Sequence, residues 1–456
     1  VAKTARNRVK LLPVDIAILK TGVAQTGSAR PQRDVRENSV NSNLPGQMNA
    51  GTAEMAAFSC ALAAWEQAPD PGRFPFTEVL SLYHALGKHF VPASVSDMLS
   101  QSRQSCISCE APSYLRAFLN CALDKPDGCY DYASYCALDL LDLPGQEGDG
   151  LSMQEVARRR DLTLLALLGD LVSFEHHASR GQEPRFPKKR PNAELSGKRI
   201  ARAMAALRPS LRRLGFSQLE TPLEWRAQAF LDWRDGRLTD LCRTRMALSM
   251  LPVHIVHDEY MFLRILQCFE VNFAWTAVLL RSAIRTVESD PETAIERLRS
   301  ANALLREAAR LFPLLGTLQI AAFQDFRRFT EGASAIQSTG YKTVEALCRR
   351  PDADRLDSVA FAAVPALRVC VEAGQETLDD AFARAAQKPE TDRARLGRIE
   401  AEMTAFAGQL SRWRQAHLQL ARRFLGDRGG TGYTEGVPYL AAVKDIPVFR
   451  NLVARL

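Results

Sequence analysis

His417 is the residue of this sequence best placed to do chemistry. It stands in Trp413–Leu425 (WRQAHLQLARRFL), where Trp413, Leu418, Leu420, Ala421, Phe424 and Leu425 recur at helical spacing and Arg422 and Arg423 lie near the end. An imidazole on an apolar helix face is neutral near pH 7 and offers a nitrogen lone pair. That is the form in which histidine ligates haem iron, although the same placement suits a histidine satisfied within a core. Gly426 ends the helix. Beyond it Gly429, Gly430, Gly432 and Gly436 alternate with Thr431, Tyr433 and Thr434. Glycines at this density let backbone amides approach a ligand closely, and a threonine hydroxyl adds one oriented hydrogen bond.

A second group with ligand character is the cysteine cluster Cys106, Cys109, Cys121, Cys129 and Cys136, in which Cys106 and Cys109 form a C-x-x-C. With two further thiols that pair could hold zinc. Cys121 and Cys136 fall on apolar helical faces and no second close pair follows, so the cluster reads as buried small hydrophobes. His176 and His177 are adjacent, which on a helix turns them about 100° apart and away from a shared metal. There is no P-loop, no dinucleotide G-x-G-x-x-G, no H-E-x-x-H and no G-x-S-x-G elbow.

The elements that must position these residues are helices. Helical spacing of apolar residues runs from Ala50 to Leu143, broken by turns at residues 69–72 and 125–128, and from Leu151 to about His177. It resumes over Leu195–Met250, His257–Glu288, Pro291–Leu311, Leu314–Phe329, Ala335–Cys348, Pro365–Ala386 and Glu390–Leu425. Period-two alternation of Val, Ile and Thr is nearly absent, which predicts an all-α protein. Residues 144–150 (PGQEGDG) read as a linker, and the basic segment Arg185–Pro191 as a solvated loop. Three regions follow: a disordered basic arm over 1–50, a helical region over 51–250 and a helical core over 251–456.

The chain of 456 residues is long enough for one large core or two. Its net charge of +7 is concentrated in residues 1–36, where eight basic side chains face only Asp15 and Asp34. The remainder is close to neutral, which weakens any reading as a nucleic-acid binder. No uninterrupted apolar run of about 18 residues predicts a membrane span. Ten cysteines without a secretory leader predict reduced thiols in a cytoplasmic protein.

The W-R-x-x-H helix, the R-x-x-G stop and the G-T-G-x-x-x-G-x-x-Y-L loop together resemble the C-terminal signature of tryptophan 2,3-dioxygenases, haem-dependent aromatic oxygenases. Three further segments resemble the family in the same order. Asp131–Leu141 (DYASYCALDLL) is similar to its Y-x-x-Y-L-x-L-D-x-L-L helix. His257-Asp258-Glu259-Tyr260-Met261-Phe262, followed by Gln267 and Glu270, is similar to H-D-E-x-x-F-x-x-x-H-Q-x-x-E. Phe326-Arg327 with Ser334 to Ser338 is similar to F-R-x-x-x-x-x-x-S-G-F-Q-S.

That resemblance implies a helical bundle of the dioxygenase type with an additional helical N-terminal region. It makes His417 the axial ligand of haem b iron, and Trp413 and Gly432 cofactor contacts. Arg327 becomes the clamp on an amino-acid carboxylate, suited to it because the guanidinium fork binds a carboxylate through two parallel hydrogen bonds. Thr431 and Ser334 become substrate contacts, Phe262 a wall of the indole pocket, and Tyr132 and Tyr135 cover the site, in the family from a neighbouring subunit. The implied reaction is O2 insertion at the 2,3-bond of tryptophan or a closely related aromatic amino acid, in a homo-oligomer, dimer or tetramer. The distal histidine position is Leu266, and Ala416 stands where an arginine often precedes the ligand. Leu266 opens an alternative, single-oxygen insertion into a tryptophan or tyrosine derivative; a haem-binding protein without turnover is a third reading. Residues 1–125 and 145–250 find no counterpart in the resemblance.

Overall fold

In a computed structural model the protein is all-α, and residues 45–107, 112–145, 150–389, 392–426, 428–430 and 436–452 are described. The helices are α1 Pro45–Gln67, α2 Phe76–Leu86, α3 Ala93–Ile107, α4 Ser113–Ala122, α5 Tyr132–Tyr135, α6 Met153–Ser179, α7 Ala193–Arg213, α8 Leu223–Asp235, α9 Asp240–Leu248 and α10 His257–Thr286. They continue with α11 Pro291–Ala308, α12 Phe312–Leu315, α13 Ile320–Arg327, α14 Thr339–Cys348, α15 Ala353–Leu356, α16 Val359–Ala362, α17 Pro365–Glu372, α18 Leu378–Gln387, α19 Arg393–Leu425 and α20 Val437–Lys444.

Helix existence follows the apolar spacing; the breaks follow local chemistry. Leu195–Met250, expected as continuous helix, is α7, α8 and α9, interrupted near Gly215 and Gly236. Leu314–Phe329 splits after Gly316 into α12 and α13, and Pro365–Ala386 splits around Gly374 into α17 and α18. The segment expected as a solvated loop is a loop with Pro187, Lys188 and Lys189 exposed, but Phe186 within it is wholly buried, with its ring 5.7 Å from Tyr260 and 5.1 Å from His84. Lys188 makes a backbone bridge to Val256, so this segment is pinned to the start of α10. The expected arm over 1–50 falls on residues 1–44, outside the described residues, and α1 begins at Pro45.

Residues 46–456 form one compact unit with α10 at its centre. α10 is long and apolar enough to cross a membrane, but its residues are spent on packing, 94% of its most apolar stretch being buried inside the fold. It packs against α6, α11, α13, α14 and α18, and α11 packs in turn against α19. A buried ion network holds α6 and α7 to its start: Arg199 pairs with Glu175 at 2.9 Å and with Asp258 at 2.7 Å, all three side chains fully buried. A second hydrophobic cluster, including Phe58, Leu62, Leu82, Leu115 and Phe118, takes in Leu248 and Leu251. Inside it Lys88 pairs with Asp124 at 2.7 Å.

Candidate active site

α19, α10, α5, α13 and the turn Ala335–Gln337 surround a cavity of ≈ 240 Å³, ≈ 1630 Å³ with the open space at its mouth. The α19 wall is one stripe of a single helix, Trp413, His417, Leu420, Ala421 and Phe424. These residues share a face because a helix repeats every 3.6 residues. His417 is half-buried, its ring 5.3 Å from Trp413, and no hydrogen bond reaches its ring nitrogens among the described residues. Burial pushes its pKa down to about 4, so the imidazole is neutral at physiological pH. Trp413 is packed among Phe269, Phe273, Phe312 and Tyr341, and its buried Nε1 has no partner among the described residues.

α10 faces this helix with Phe262, Leu266, Phe269, Glu270 and Phe273. Leu266 is therefore at the cavity, as its position in the motif implies, and carries no hydrogen-bonding group. Glu270 is the one carboxylate lining the cavity among the described residues. Its Oε1 accepts from Tyr132 Oη at 3.1 Å and Ser338 Oγ at 2.5 Å. Burial without a cation pushes it up to about 7, against the pull of those two hydroxyls. Ser338 also caps α14, accepting from the Tyr341 amide at 3.0 Å, so one hydroxyl fixes a helix start and a cavity acid together. Gly340 must approach closely here, because a Cβ would lie 2.6 Å from Glu270 Oε2.

α5 closes the cavity from the N-terminal side. Asp131 caps it by accepting the Ser134 amide at 2.8 Å. Tyr135 Oη donates to the buried Glu259 at 3.2 Å, the second of two tyrosine–glutamate pairs joining α5 to α10. Burial pushes Glu259 up to about 8 despite amide bonds from Val253 and His254. Both tyrosines are buried and reach the cavity of their own chain.

Arg327, the last residue of α13, lines the cavity and donates to the Gly429 carbonyl. No carboxylate pairs with it among the described residues, and burial with the charge of Arg428 depresses its pKa. Ser334, Phe262 and Gly430 line the same space. Thr431 and Gly432 lie outside the described residues, as does Cys109; Cys121 and Cys136 are buried, but Cys129, expected as a buried hydrophobe, is exposed. The neck of the glycine loop is described: Gly436 has φ 77°, and a Cβ there would sit 2.8 Å from the Gly430 amide.

No protein-family model matches the chain. It is 26% identical over 251 residues to a tryptophan 2,3-dioxygenase of Kineococcus radiotolerans, covering 48% of this chain and 87% of that protein. It is 25% identical over 238 residues to one of Polaromonas naphthalenivorans (44% and 83%), and 23% identical over 235 residues to one of Paraburkholderia phytofirmans (44% and 77%). The chain is similar to tryptophan 2,3-dioxygenases.

One part of this cavity was not read from the sequence. Lys342, Arg355 and Arg414 line it while sharing a single carboxylate, Glu345, at 3.9, 3.0 and 3.3 Å. Burial lowers Lys342 to about 8, with Glu345 pulling the other way. The buried Arg355 Nε has no partner among the described residues. Three cations around one acid leave an excess of positive charge facing the cavity, which suits an anionic group. Only the Lys342/Glu345 spacing on α14 hinted at it; Arg355 and Arg414 arrive from elsewhere in the chain. Haem fits these residues: an unpartnered neutral imidazole on one wall and excess cations for its carboxylates.

Proposed function

We propose that the chain is a haem-dependent oxygenase acting on tryptophan or a closely related aromatic amino acid. One observation carries the reading: one apolar cavity presents a neutral imidazole at His417 and a guanidinium at Arg327, and among the described residues the first has no hydrogen bond and the second no paired acid. The names of its relatives support it.

In this reading His417 would ligate the iron of haem b, and Lys342, Arg355 and Arg414 would supply positive charge for its carboxylates. Bound haem supplies the activation of dioxygen. The chain's own residues bind and orient the substrate. Arg327 takes the carboxylate through its two-pronged fork, and Phe262 packs on the aromatic ring, braced by Phe323 at 5.8 Å and Phe326 at 5.4 Å. The family resemblance assigns the ammonium group to Thr431. Tyr132 and Tyr135 seal the side against water, with their hydroxyls tied to Glu270 and Glu259. Insertion of both oxygen atoms across the indole 2,3-bond gives N-formylkynurenine without an external reductant.

Leu266 favours a second reading. Lacking an acceptor for an indole N–H, this wall suits a ring with no donor there, and single-oxygen insertion into a tryptophan or tyrosine derivative becomes the reaction. The second oxygen atom is then reduced to water by an external two-electron donor. Mass spectrometry of the product formed under labelled O2 decides between them: two labelled atoms support dioxygenation and one supports hydroxylation. Purified protein that shows no Soret band after haem addition overturns both.

A further inference from the structure

The segment that leaves the helix carrying Arg327 is gripped from far away in the sequence. Lys125 Nζ donates to the Phe329 carbonyl at 3.0 Å across 204 residues, and no other donor among the described residues reaches that oxygen. The same ammonium lies 3.6 Å from Glu331, which His89 Nδ1 also approaches at 3.7 Å. The Phe329 ring packs between His89, Phe90 and His254, with centroids at 4.8, 4.9 and 5.2 Å. The gripped backbone is strained at Glu331, whose φ is 21°. A side chain at positive φ persists only where its surroundings hold it.

What lies on either side gives the grip its meaning. Arg327 is two residues before the held carbonyl, and its own carbonyl accepts from Thr330 Oγ1 at 2.9 Å. Ala333 and Ser334, just after the strained residue and Gly332, line the cavity. The far end of this loop is held from the same direction, by the Tyr132 amide donating to Gln337 Oε1 at 3.1 Å. Lys125 itself is only 14% exposed, and its ammonium sits 4.1 Å from the centre of the Tyr130 ring, so it is a fixed point rather than a waving surface lysine.

We infer that Lys125 is a positioning residue for Arg327: through the Phe329 carbonyl and Glu331 it sets the segment that aims the guanidinium into the cavity. The inference rests on the reading of Arg327 as the carboxylate clamp. It gives residues 46–143 a task in substrate recognition, although among the described residues they touch the cavity only through α5.

The test uses full-length haem-loaded protein with K125M and K125R. Amide exchange over residues 328–338 reads the grip without any ligand. Calorimetric binding of L-tryptophan, and of tryptamine as the same ring without a carboxylate, reads its consequence. K125M is expected to speed exchange in 328–338 and to weaken L-tryptophan binding about tenfold, the scale of one lost charged hydrogen bond. Tryptamine binding stays within twofold, and K125R restores most of the loss. In an R327A background K125M causes no further loss. Unchanged exchange overturns the inference. So does L-tryptophan affinity within twofold of the parent, or an equal loss for tryptamine, which marks a merely structural lysine. A parent protein that binds neither compound overturns the functional reading instead, and the exchange measurement still decides whether Lys125 holds the Arg327 segment.

Discussion

The two long walls of the cavity are built in opposite ways. The α19 wall is local: Trp413, His417, Leu420, Ala421 and Phe424 share one face of one helix, and His417 makes no hydrogen bond there among the described residues. The wall across from it is assembled from α5, α10, α13 and the start of α14. Its polar groups are tied over long sequence separations, Tyr132 and Ser338 both to Glu270, and behind the wall Lys125 holds the Phe329 carbonyl. One wall presents a free lone pair by leaving it alone, the other holds a binding surface by cross-bracing it. Damage to the first is therefore expected to remove one function cleanly, whereas damage to the second spreads through its partners.

The sharpest break of that contrast is His417→Ala, expected to abolish haem retention, read as loss of the Soret band, while the far-ultraviolet helical signal persists. Arg327→Ala comes next. Haem stays, and substrate KM rises by the equivalent of about 2–5 kcal/mol, the usual cost of removing one partner of a buried charged pair. Untouched substrate kinetics in this variant remove Arg327 from the pocket.

The cross-braced wall also carries a pH signature. Glu270 and Glu259 have folded pKa values of about 7 and about 8, raised above the ordinary carboxylate value. The folded state therefore holds protons that the unfolded chain has released. The stability they contribute is complete below the unfolded pKa and is lost as pH rises through 7 and 8. The part of the pH dependence owed to these two acids should be a decline on the order of 1 kcal/mol per pH unit in denaturant titrations from pH 6 to 9, opposed by Lys342 and His417, whose lowered pKa values add stability as pH rises. The E259Q/E270Q double variant should flatten it, and a slope unchanged by that variant means that the two acids are not buried as described.

Smaller effects test the bracing piece by piece. Gly340→Ala forces a methyl against Glu270 and Phe273, whose Cβ would be 3.1 Å away, and should cost about 1–3 kcal/mol in thermal unfolding. Tyr132→Phe removes one donor to Glu270 and should cost about 0.5–1.5 kcal/mol, with haem retention unchanged. If Tyr132→Phe instead releases haem, the two walls are not separable in the way their construction implies.

Much of this was legible beforehand. The all-α fold followed from period-3.6 spacing, because that pattern is a property of neighbouring residues. The same locality put Phe262, Leu266 and Glu270 on one face of α10. What stayed hidden was the burial of Phe186 in a segment that reads as basic and polar, and the breaks inside long amphipathic stretches, where glycines compete with a continuing pattern.

By itself the sequence determined the helices, the apolar stripe bearing His417 and, through motif order, the relation to a family. Only the tertiary structure decided that Tyr132 and Tyr135 line their own chain's cavity, that Lys342, Arg355 and Arg414 gather around one acid, and that Lys125 grips the segment after Arg327. The physical reason is range. Helix periodicity acts over a few residues, whereas a buried hydrogen bond or a surplus of charge depends on which distant segments share one low-dielectric interior.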